Sequence, residues 1–274
     1  MSRTLLITGT SRGLGRALAV AALEAGHRVV ATARNTADLE DLVSTYPAAR
    51  AVALDVRDPQ AAADAVQVAL DAFGRLDGVI NNAGYANVSS LEDTPLDDFR
   101  DQVETNLWGA VHVSRAALPV FRSQGGGHLV QISSVSGRLA PAAGLGPYVT
   151  AKFALEGFSE ALALETASFG VRVTVVEAGS MATSLYSSMS TREPSPAYAS
   201  ALAPMLTAHA TGQAPGVDPA RAAEVILGLF DLAEPPLWLP LSGQAVDLIR
   251  PAEQRKLAEL DRWEELSRSV DARG

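Results

Sequence analysis

The stretch TLLITGTSRGLG, Thr4 to Gly15, decides the fold. Its first half, Thr4 to Thr8, is a short apolar run that reads as a buried strand, and its second half sets Gly9, Gly13 and Gly15 ahead of an Ala-rich helical segment ending near Gly26. Strand, glycine turn and helix in that order bring free backbone N–H groups and the positive end of a helix dipole to one point, which suits a phosphate. In isolation such a turn is only a strand-to-helix loop. Between this strand and this helix it reads as a nucleotide-binding turn.

The alternation continues outward. Further strand signals fall at Arg28–Ala33, Ala51–Leu54, Leu76–Ile80, His128–Ile132, Val171–Val176 and Pro236–Pro240. Between them, Asp58-Pro59 caps a helix reaching Phe73, Thr94-Pro95 opens helical sequence running to Phe121 with room for a break, and Asp218-Pro219 opens a helix to Leu232. Strands separated by long helices call for right-handed crossovers and a parallel sheet. The expectation is an α/β fold: a single doubly wound Rossmann-type domain over residues 1–274, with a seven-stranded parallel sheet flanked by helices. A substrate lid is expected over 180–216 and a C-terminal helical extension over 242–274.

Composition narrows the function. The chain has 274 residues, 47% of them hydrophobic, and no Pro/Ser-rich linker or charge block divides it. A net charge of −9 and a pI near 5.0 disfavour nucleic-acid or anionic-membrane partners. The absence of cysteine excludes disulfides, thiolate metal sites and cysteine nucleophiles. His27, His112, His128 and His209 are scattered without metal-ligand spacing, so no metal is expected. MSRTLLITG enters a strand at once and no stretch approaches the apolar length of a membrane span, which reads as a soluble cytoplasmic protein.

A second stretch, ISSVSGRLAPAAGLGPYVTAKFALEGFSEALALE from Ile132 to Glu165, carries chemistry. It leaves a strand through Ser133 and Ser134 and enters a helix near Tyr148, with Lys152 four residues on. Residues at that spacing share a helix face, and a neighbouring ammonium favours a phenolate, so Tyr148 can serve as an acid/base. YxxxK alone is common on solvated helices; the upstream turn gives it weight.

Together TGTSRGLG, Asp55-Val56, NNAG at Asn81–Gly84, Asn106, Ser134, YVTAK at Tyr148–Lys152 and EAGSMAT at Glu177–Thr183 resemble a classical short-chain dehydrogenase/reductase, closely over about Thr4 to Thr183. The resemblance implies hydride transfer between NADP(H) and a small-molecule carbonyl/alcohol pair. It implies Tyr148 as general acid/base, Lys152 as the group that lowers its pKa and binds the nicotinamide ribose, Ser134 on the substrate oxygen, and Asn106 holding a water that links Lys152 to solvent. It places Gly9, Ser11, Arg12, Gly13, Leu14, Gly15, Arg34, Asp55, Val56, Asn82, Ala83, Gly84, Gly179, Met181 and Thr183 against the cofactor, and it implies a homodimer or homotetramer. Two departures stand out. Ser134 and Tyr148 are fourteen residues apart, one more than the family spacing, so an insertion falls in Arg138–Pro147; taking Ser133 instead widens the gap. Ala178-Gly179 replaces the usual Pro-Gly, which loosens a turn beside the nicotinamide.

NADP(H) rather than NAD(H) follows from the second strand's end, where Ala33 stands in place of an acid that would repel a 2′-phosphate, with Arg34 after it and Arg12 in the glycine turn. Met181, Leu185, Tyr186, Met189, Tyr198, Leu202, Met205 and Leu206 line the expected lid and favour a medium-sized apolar or aromatic ketone or secondary alcohol. A fixed helical cap is the alternative to a mobile lid. Trp238 and Trp263 read as packing anchors, and the segment from Pro251 reads as an amphipathic helix, with Leu257, Leu260, Trp263 and Leu266, that covers the domain or meets a partner subunit. Two alternative functions share the scaffold: a non-catalytic NADP(H) sensor, and an isomerase or dehydratase.

Overall fold

The computed structural model describes residues 2–181, 189–211 and 216–271. Its sheet has seven strands: β1 Thr4–Ile7, β2 Arg28–Ala33, β3 Ala49–Ala53, β4 Gly78–Asn81, β5 Gly127–Ile132, β6 Val171–Ala178 and β7 Trp238–Leu241. They lie in the order β3-β2-β1-β4-β5-β6-β7, every neighbouring pair parallel. The described helices are α1 Gly13–Glu24, α2 Glu40–Thr45, α3 Pro59–Phe73, α4 Leu96–Val103, α5 Gly109–Gln124, α6 Gly146–Thr166, α7 Ala199–Thr211, α8 Pro219–Gly228 and α9 Gly243–Arg268.

A sheet covered on both faces needs strands apolar on both sides, and β1 and β4 are buried throughout. One core joins the sheet to α1 and α8, where Ala19, Ala22, Ala222 and Ala223 keep the helices narrow enough to approach closely. The opposite core joins it to α3, α5 and α6 through Ala65, Val113, Ala117, Phe121 and Leu162. The expected starts hold: Asp58 Oδ1 accepts from Gln60 N at 2.8 Å, and Asp218 Oδ1 accepts from Ala220 N at 3.0 Å. Each such cap contributes about 1 kcal/mol.

Three features differ from the sequence reading. The expected break between α4 and α5 is a π-helical turn, Glu104–Trp108, rather than an interruption. The amphipathic segment read from Pro251 is the continuation of α9, which starts at Gly243, inside the extension expected from 242, because Ser242 Oγ accepts from Ala245 N at 3.1 Å and caps it. The tryptophans are not buried anchors: Trp238 is 39% exposed and Trp263 48% exposed. Trp238 ends up at the edge strand beneath the Arg138 guanidinium, 5.6 Å from its ring centre, while Trp263 lies on the exposed end of α9.

The strand order reverses between β1 and β4, and their carboxyl ends open a crevice there, the usual ligand position in an open parallel sheet. Both the glycine turn after β1 and the Asn-rich turn after β4 sit at that crevice.

Candidate active site

The turn after β1 is built of backbone. Gly9 and Gly13 have φ of +70° and +59°, which side chains with a Cβ rarely adopt. A Cβ on Gly15 would collide with the Gly9 carbonyl and stand 2.5 Å from Asn82 Nδ2. Asn82 Nδ2 donates to Thr8 O at 2.9 Å, and Thr8 Oγ1 accepts from Asn82 N and Ala83 N, both at 2.9 Å, so the two turns are bolted together. Arg12 takes the N-cap position of α1 with no side-chain cap, and the first turn has no acid. Its free N–H groups suit a pyrophosphate, for which Ser11 and Gly13 leave backbone room. Leu14 contributes backbone alone, because its side chain belongs to the core.

The opposite wall is built of side chains. Lys152 is 5% exposed, yet its Nζ donates to Ile132 O at 2.8 Å, which fixes α6 against the end of β5 two residues before Ser134. Burial lowers its pKa to about 8. Tyr148, one turn earlier and half-buried, has its ring centre 5.6 Å from that Nζ. Ser134, also half-buried, N-caps a short 3₁₀ turn, its Oγ accepting from Ser136 N at 3.1 Å.

Asn106 lies in the π-helical turn, 2% exposed. Its Nδ2 donates to Tyr85 O at 2.8 Å and Gln102 O at 2.9 Å, while Oδ1 has no partner among the described residues. A Cβ on Gly84 would stand 2.5 Å from that Oδ1 and 3.8 Å from Lys152 Nζ. A buried acceptor and a buried ammonium therefore converge on one gap that only glycine leaves open, with room for a ribose hydroxyl or a water that would otherwise leave Oδ1 unsatisfied.

Behind this wall lies a group of ionisable residues that the sequence reading missed. Glu156 is buried, and burial pushes its carboxyl up to about 7. Ser133 Oγ and Glu156 Oε1 both face Gly137, 2.8 and 2.6 Å from the position of its absent Cβ. Ser133 is thus turned away from the crevice, which leaves Ser134 as the serine at its edge. Arg138 donates to Glu177 at 3.0 Å and to Glu253 of α9 at 3.2 Å, tying the segment after Ser134 to β6 and to the C-terminal helix. Sequence spacing did offer one signal: Glu156 follows Lys152 by one turn.

The end of β2 carries Ala33, buried, with Arg34 exposed after it. Arg12 is exposed as well, and among the described residues neither arginine enters an ion pair. Asp55 is held below the usual carboxylate range chiefly by the hydrogen bonds of Arg57, whose NH2 lies 2.7 Å away. Val56 is buried against Gly109 and presents only its backbone, with His112 Nδ1 donating to its carbonyl at 3.0 Å. On the far side, Ala178 pairs with Leu241, while Gln244 Oε1 accepts from Ser180 N at 3.0 Å beside Gly179. The turn that lacks proline is therefore held by α9. Met181 pairs with Val217 in a short parallel bridge; Thr183 lies outside the described residues, as do Leu185 and Tyr186.

Above Tyr148, the expected lid includes α7. Ala86, Val88, Leu145 and Met189 form a small apolar cluster with Tyr148, Val149, Met205 and Leu206 packed on it. Gly144 O accepts from Ser89 N at 3.0 Å, so the loop before α6 is pinned to the same wall. Arg192 donates to Asp98 of α4 at 3.1 Å. His27 and His128 are structural: burial lowers both, His128 to about 3. Among the described residues no group of His, Asp and Glu is arranged to hold a metal, and no helix is long and apolar enough to cross a membrane.

Residues 3–194 match the family of short chain dehydrogenases. The chain is 43% identical over 273 residues to Oxidoreductase BOA17 of Botryotinia fuckeliana (strain B05.10), covering 97% of this chain and 98% of that one. A short-chain dehydrogenase of known structure from Streptomyces avermitilis is 40% identical, with a TM-score of 0.90 over 98% of each chain. A gluconate 5-dehydrogenase from Burkholderia cenocepacia J2315, solved with NADP and tartrate, is 27% identical, with a TM-score of 0.62 over 66% of this chain and 72% of that one.

Proposed function

Because the chain belongs to the short-chain dehydrogenase/reductase family, we propose that it is an NADP(H)-dependent oxidoreductase. Its substrate is a medium-sized apolar or aromatic ketone or the matching secondary alcohol. The observation that carries this reading is the gap at Gly84, where the unpartnered Asn106 Oδ1 and the buried Lys152 ammonium meet one helical turn from Tyr148.

Arg12 and the N-terminus of α1 would hold the dinucleotide's phosphates, Gly179 and Met181 would border its nicotinamide end, and Lys152 would hold the nicotinamide ribose. When bound, NADPH supplies the hydride. Tyr148 gives its phenolic proton to the substrate oxygen as the carbonyl carbon is reduced, so the alcohol leaves with one hydride and one proton added. The Lys152 ammonium holds the resulting phenolate, and Ser134 Oγ orients the substrate oxygen. The proton returns to Tyr148 from solvent through the gap that Asn106 and Lys152 share. In the reverse direction the same groups take the proton from the alcohol.

Cofactor choice rests on Ala33, which removes an acid from the adenosine ribose, and on Arg12 and Arg34, whose guanidinium groups suit a 2′-phosphate. Substrate class rests on the apolar cluster around Tyr148, where the described residues gather no cluster of Lys and Arg to hold a phosphorylated substrate. Helix α7, in the expected lid, closes over the substrate, and the enzyme works as a homodimer or homotetramer in the cytoplasm.

The test is an initial-rate panel of ketones and aldehydes with NADPH and NADH, and of alcohols with NADP and NAD. Reduction of apolar or aromatic ketones with a preference for NADPH is expected. Tight NADPH binding without turnover in either direction would make the protein a sensor. Product formation without net cofactor consumption would make it an isomerase or dehydratase. Activity confined to phosphorylated substrates would remove the substrate assignment.

A further inference from the structure

Beside the catalytic wall a cavity of about 360 Å³ lies between the loop after β4, the start of α4 and the segment before α7. Its size is that of a small-molecule site. Gln102, Ser89 and Pro147 are buried and form its floor, while Ser190 to Glu193 are exposed and form its rim. The rim is fastened to the loop that carries the floor: Val88 N donates to Ser190 O at 3.0 Å, and Arg192 N to Val88 O at 3.1 Å. Further along, Asp93 Oδ2 accepts from Ser195 N at 3.0 Å and Tyr198 OH donates to Glu92 at 2.7 Å, which ties the same segment twice more.

Two polar side chains of the floor are left open. Gln102 is 1% exposed, and its Oε1 accepts from Asn87 N at 3.1 Å. That bond settles which end of the amide is which, and among the described residues nothing accepts from Nε2. Ser89 Oγ is buried and also has no partner among the described residues. Buried polar groups are as a rule hydrogen-bonded, so an amide donor and a hydroxyl left open at one cavity mark the place of an acceptor.

The charges decide what kind of acceptor. Among the described residues Arg192 is the one cation lining the cavity, and its NH2 already donates to Asp98 Oδ2 at 3.1 Å. Glu193 adds a second carboxylate at the rim. Two acids against one arginine disfavour a carboxylate or a phosphate. An ammonium group would suit the acids but leave Gln102 Nε2 without an acceptor. An uncharged carbonyl oxygen meets both conditions.

The cavity adjoins the reacting groups. Pro147 precedes Tyr148, Val88 belongs to the apolar cluster on which Tyr148 packs, and Asn106 Nδ2 donates to Gln102 O at 2.9 Å. We propose that it is a substrate subsite for a second, uncharged carbonyl oxygen, carried as ester, amide or ketone, which accepts from Gln102 Nε2 and Ser89 Oγ. The assignment rests on the reductase reading above and narrows its substrate to an apolar ketone that bears such a group.

Dead-end titration tests the subsite apart from turnover. Aryl ketones that differ only in a terminal methyl ester or its alkyl isostere, over a series of spacer lengths, are titrated into the full chain saturated with NADP, which cannot reduce them. The same ketones are assayed with NADPH. At the best spacer length the ester should bind about threefold to tenfold more tightly than the alkyl ketone, the worth of a neutral hydrogen bond, and a terminal carboxylate no better than the alkyl chain. Gln102→Glu keeps the acceptor for Asn87 N and removes the donor, so the preference for the ester should vanish or invert; Ser89→Ala should reduce it in part. The ratio isolates the contact, because a general fold defect weakens both ketones together. A ratio unchanged in both variants overturns the subsite, whatever either change does to affinity as a whole. So does a parent that binds ester and alkyl ketone alike at every spacer length, even if it reduces both, and so does a parent that prefers the carboxylate. An ester preference that is lost in Gln102→Glu, in a protein that reduces neither ketone, upholds the subsite and removes the reaction assigned above.

Discussion

The two walls of the crevice solve the same task with different materials. The wall at β1 and α1 is backbone: glycines exclude Cβ atoms, and amide groups face the ligand. The wall at β5 and α6 is side chain: Lys152, Asn106 and Glu156 are taken out of water and set against a few fixed acceptors. The first wall specifies a shape, and any residue that keeps the shape keeps the site. The second specifies charge states, which depend on what every neighbour does. Substitutions in the first should therefore act on cofactor affinity, and those in the second on turnover and pH dependence.

The largest expected effect tests that separation directly. Tyr148→Phe keeps the ring and removes the proton, so kcat should fall by about 10²–10⁴-fold, the usual contribution of a general acid/base. NADPH affinity, read by fluorescence titration, should stay within a few-fold. Near-normal turnover in this variant would end the assignment of Tyr148.

Gly15→Ala should do the reverse. The added methyl meets the Gly9 carbonyl and Asn82 Nδ2, and forced overpacking costs about 1–3 kcal/mol or more. The expected result is a lower melting temperature and a loss of NADPH affinity of about tenfold or greater, with little change in kcat at saturating cofactor. A variant with parental affinity would show that the turn can shift and that the first wall is less rigid than its contacts imply.

Glu156→Gln probes the charge states of the second wall. With its carboxyl pushed up to about 7 from 4.5, the folded chain holds a proton through that interval that the unfolded chain has lost. Stability contributed by Glu156 is thus greatest at low pH and falls as pH rises through the window. The groups facing it are Ser133, Lys152, Glu177 and Arg138, and burial raises Glu177 in the same direction. Urea unfolding at about pH 5 and about pH 7.5 should show the parent losing up to about 3 kcal/mol relative to the variant. Parallel pH dependences would mean that Glu156 is ionised throughout.

The most selective effect belongs to the edge of the first wall. Arg12→Ala and Arg34→Ala should each cut the NADP/NAD ratio of kcat/KM by roughly tenfold to a hundredfold, the range for charged hydrogen bonds of about 1.5–3 kcal/mol. Ala33→Asp should lower NADP efficiency and leave NAD efficiency intact or improved. Equal use of both cofactors by the parent would remove the basis for all three.

The same contrast explains what could be read from the chain alone. The glycine turn, the seven strands and the Asp-Pro helix starts are local: each is forced by residues next to one another, and each falls within a few residues of its sequence signal. The short α2 and the 3₁₀ turn before it, Thr36–Leu39, gave no such signal, because a few polar residues followed by Leu39 read equally well as loop. Tyr148 and Lys152 were legible as a helical pair, but the anchoring of Lys152 on Ile132 O is a contact across twenty residues that no periodicity reveals. Ser133 and Ser134 are indistinguishable by residue type; the alternation of side chains at the end of β5 sends one inward to Glu156 and leaves the other at the crevice. Of the two readings open for the second half of α9, covering the domain is the one the structure does not bear out, for a related reason. Its apolar stripe is real, but a stripe records what a helix can cover, not what lies beside it.

The π-helical turn at Glu104–Trp108 has a consequence for how the protein can be lost. It amounts to one surplus residue in what would otherwise be a continuous rod from Leu96 to Gln124. Deleting a single codon there would let the hydrogen-bond ladder close into regular α-helix, a change that favours the backbone, while turning one end of the rod by about 100° against the other. Asn106 would then leave the Gly84 gap, or Gln102 and Tyr85 would leave Asn106. The shortened chain would carry Tyr148, Lys152 and Ser134 unaltered, yet the proton path proposed above would be severed. On that proposal, an in-frame deletion that touches none of these three residues is enough to inactivate the protein.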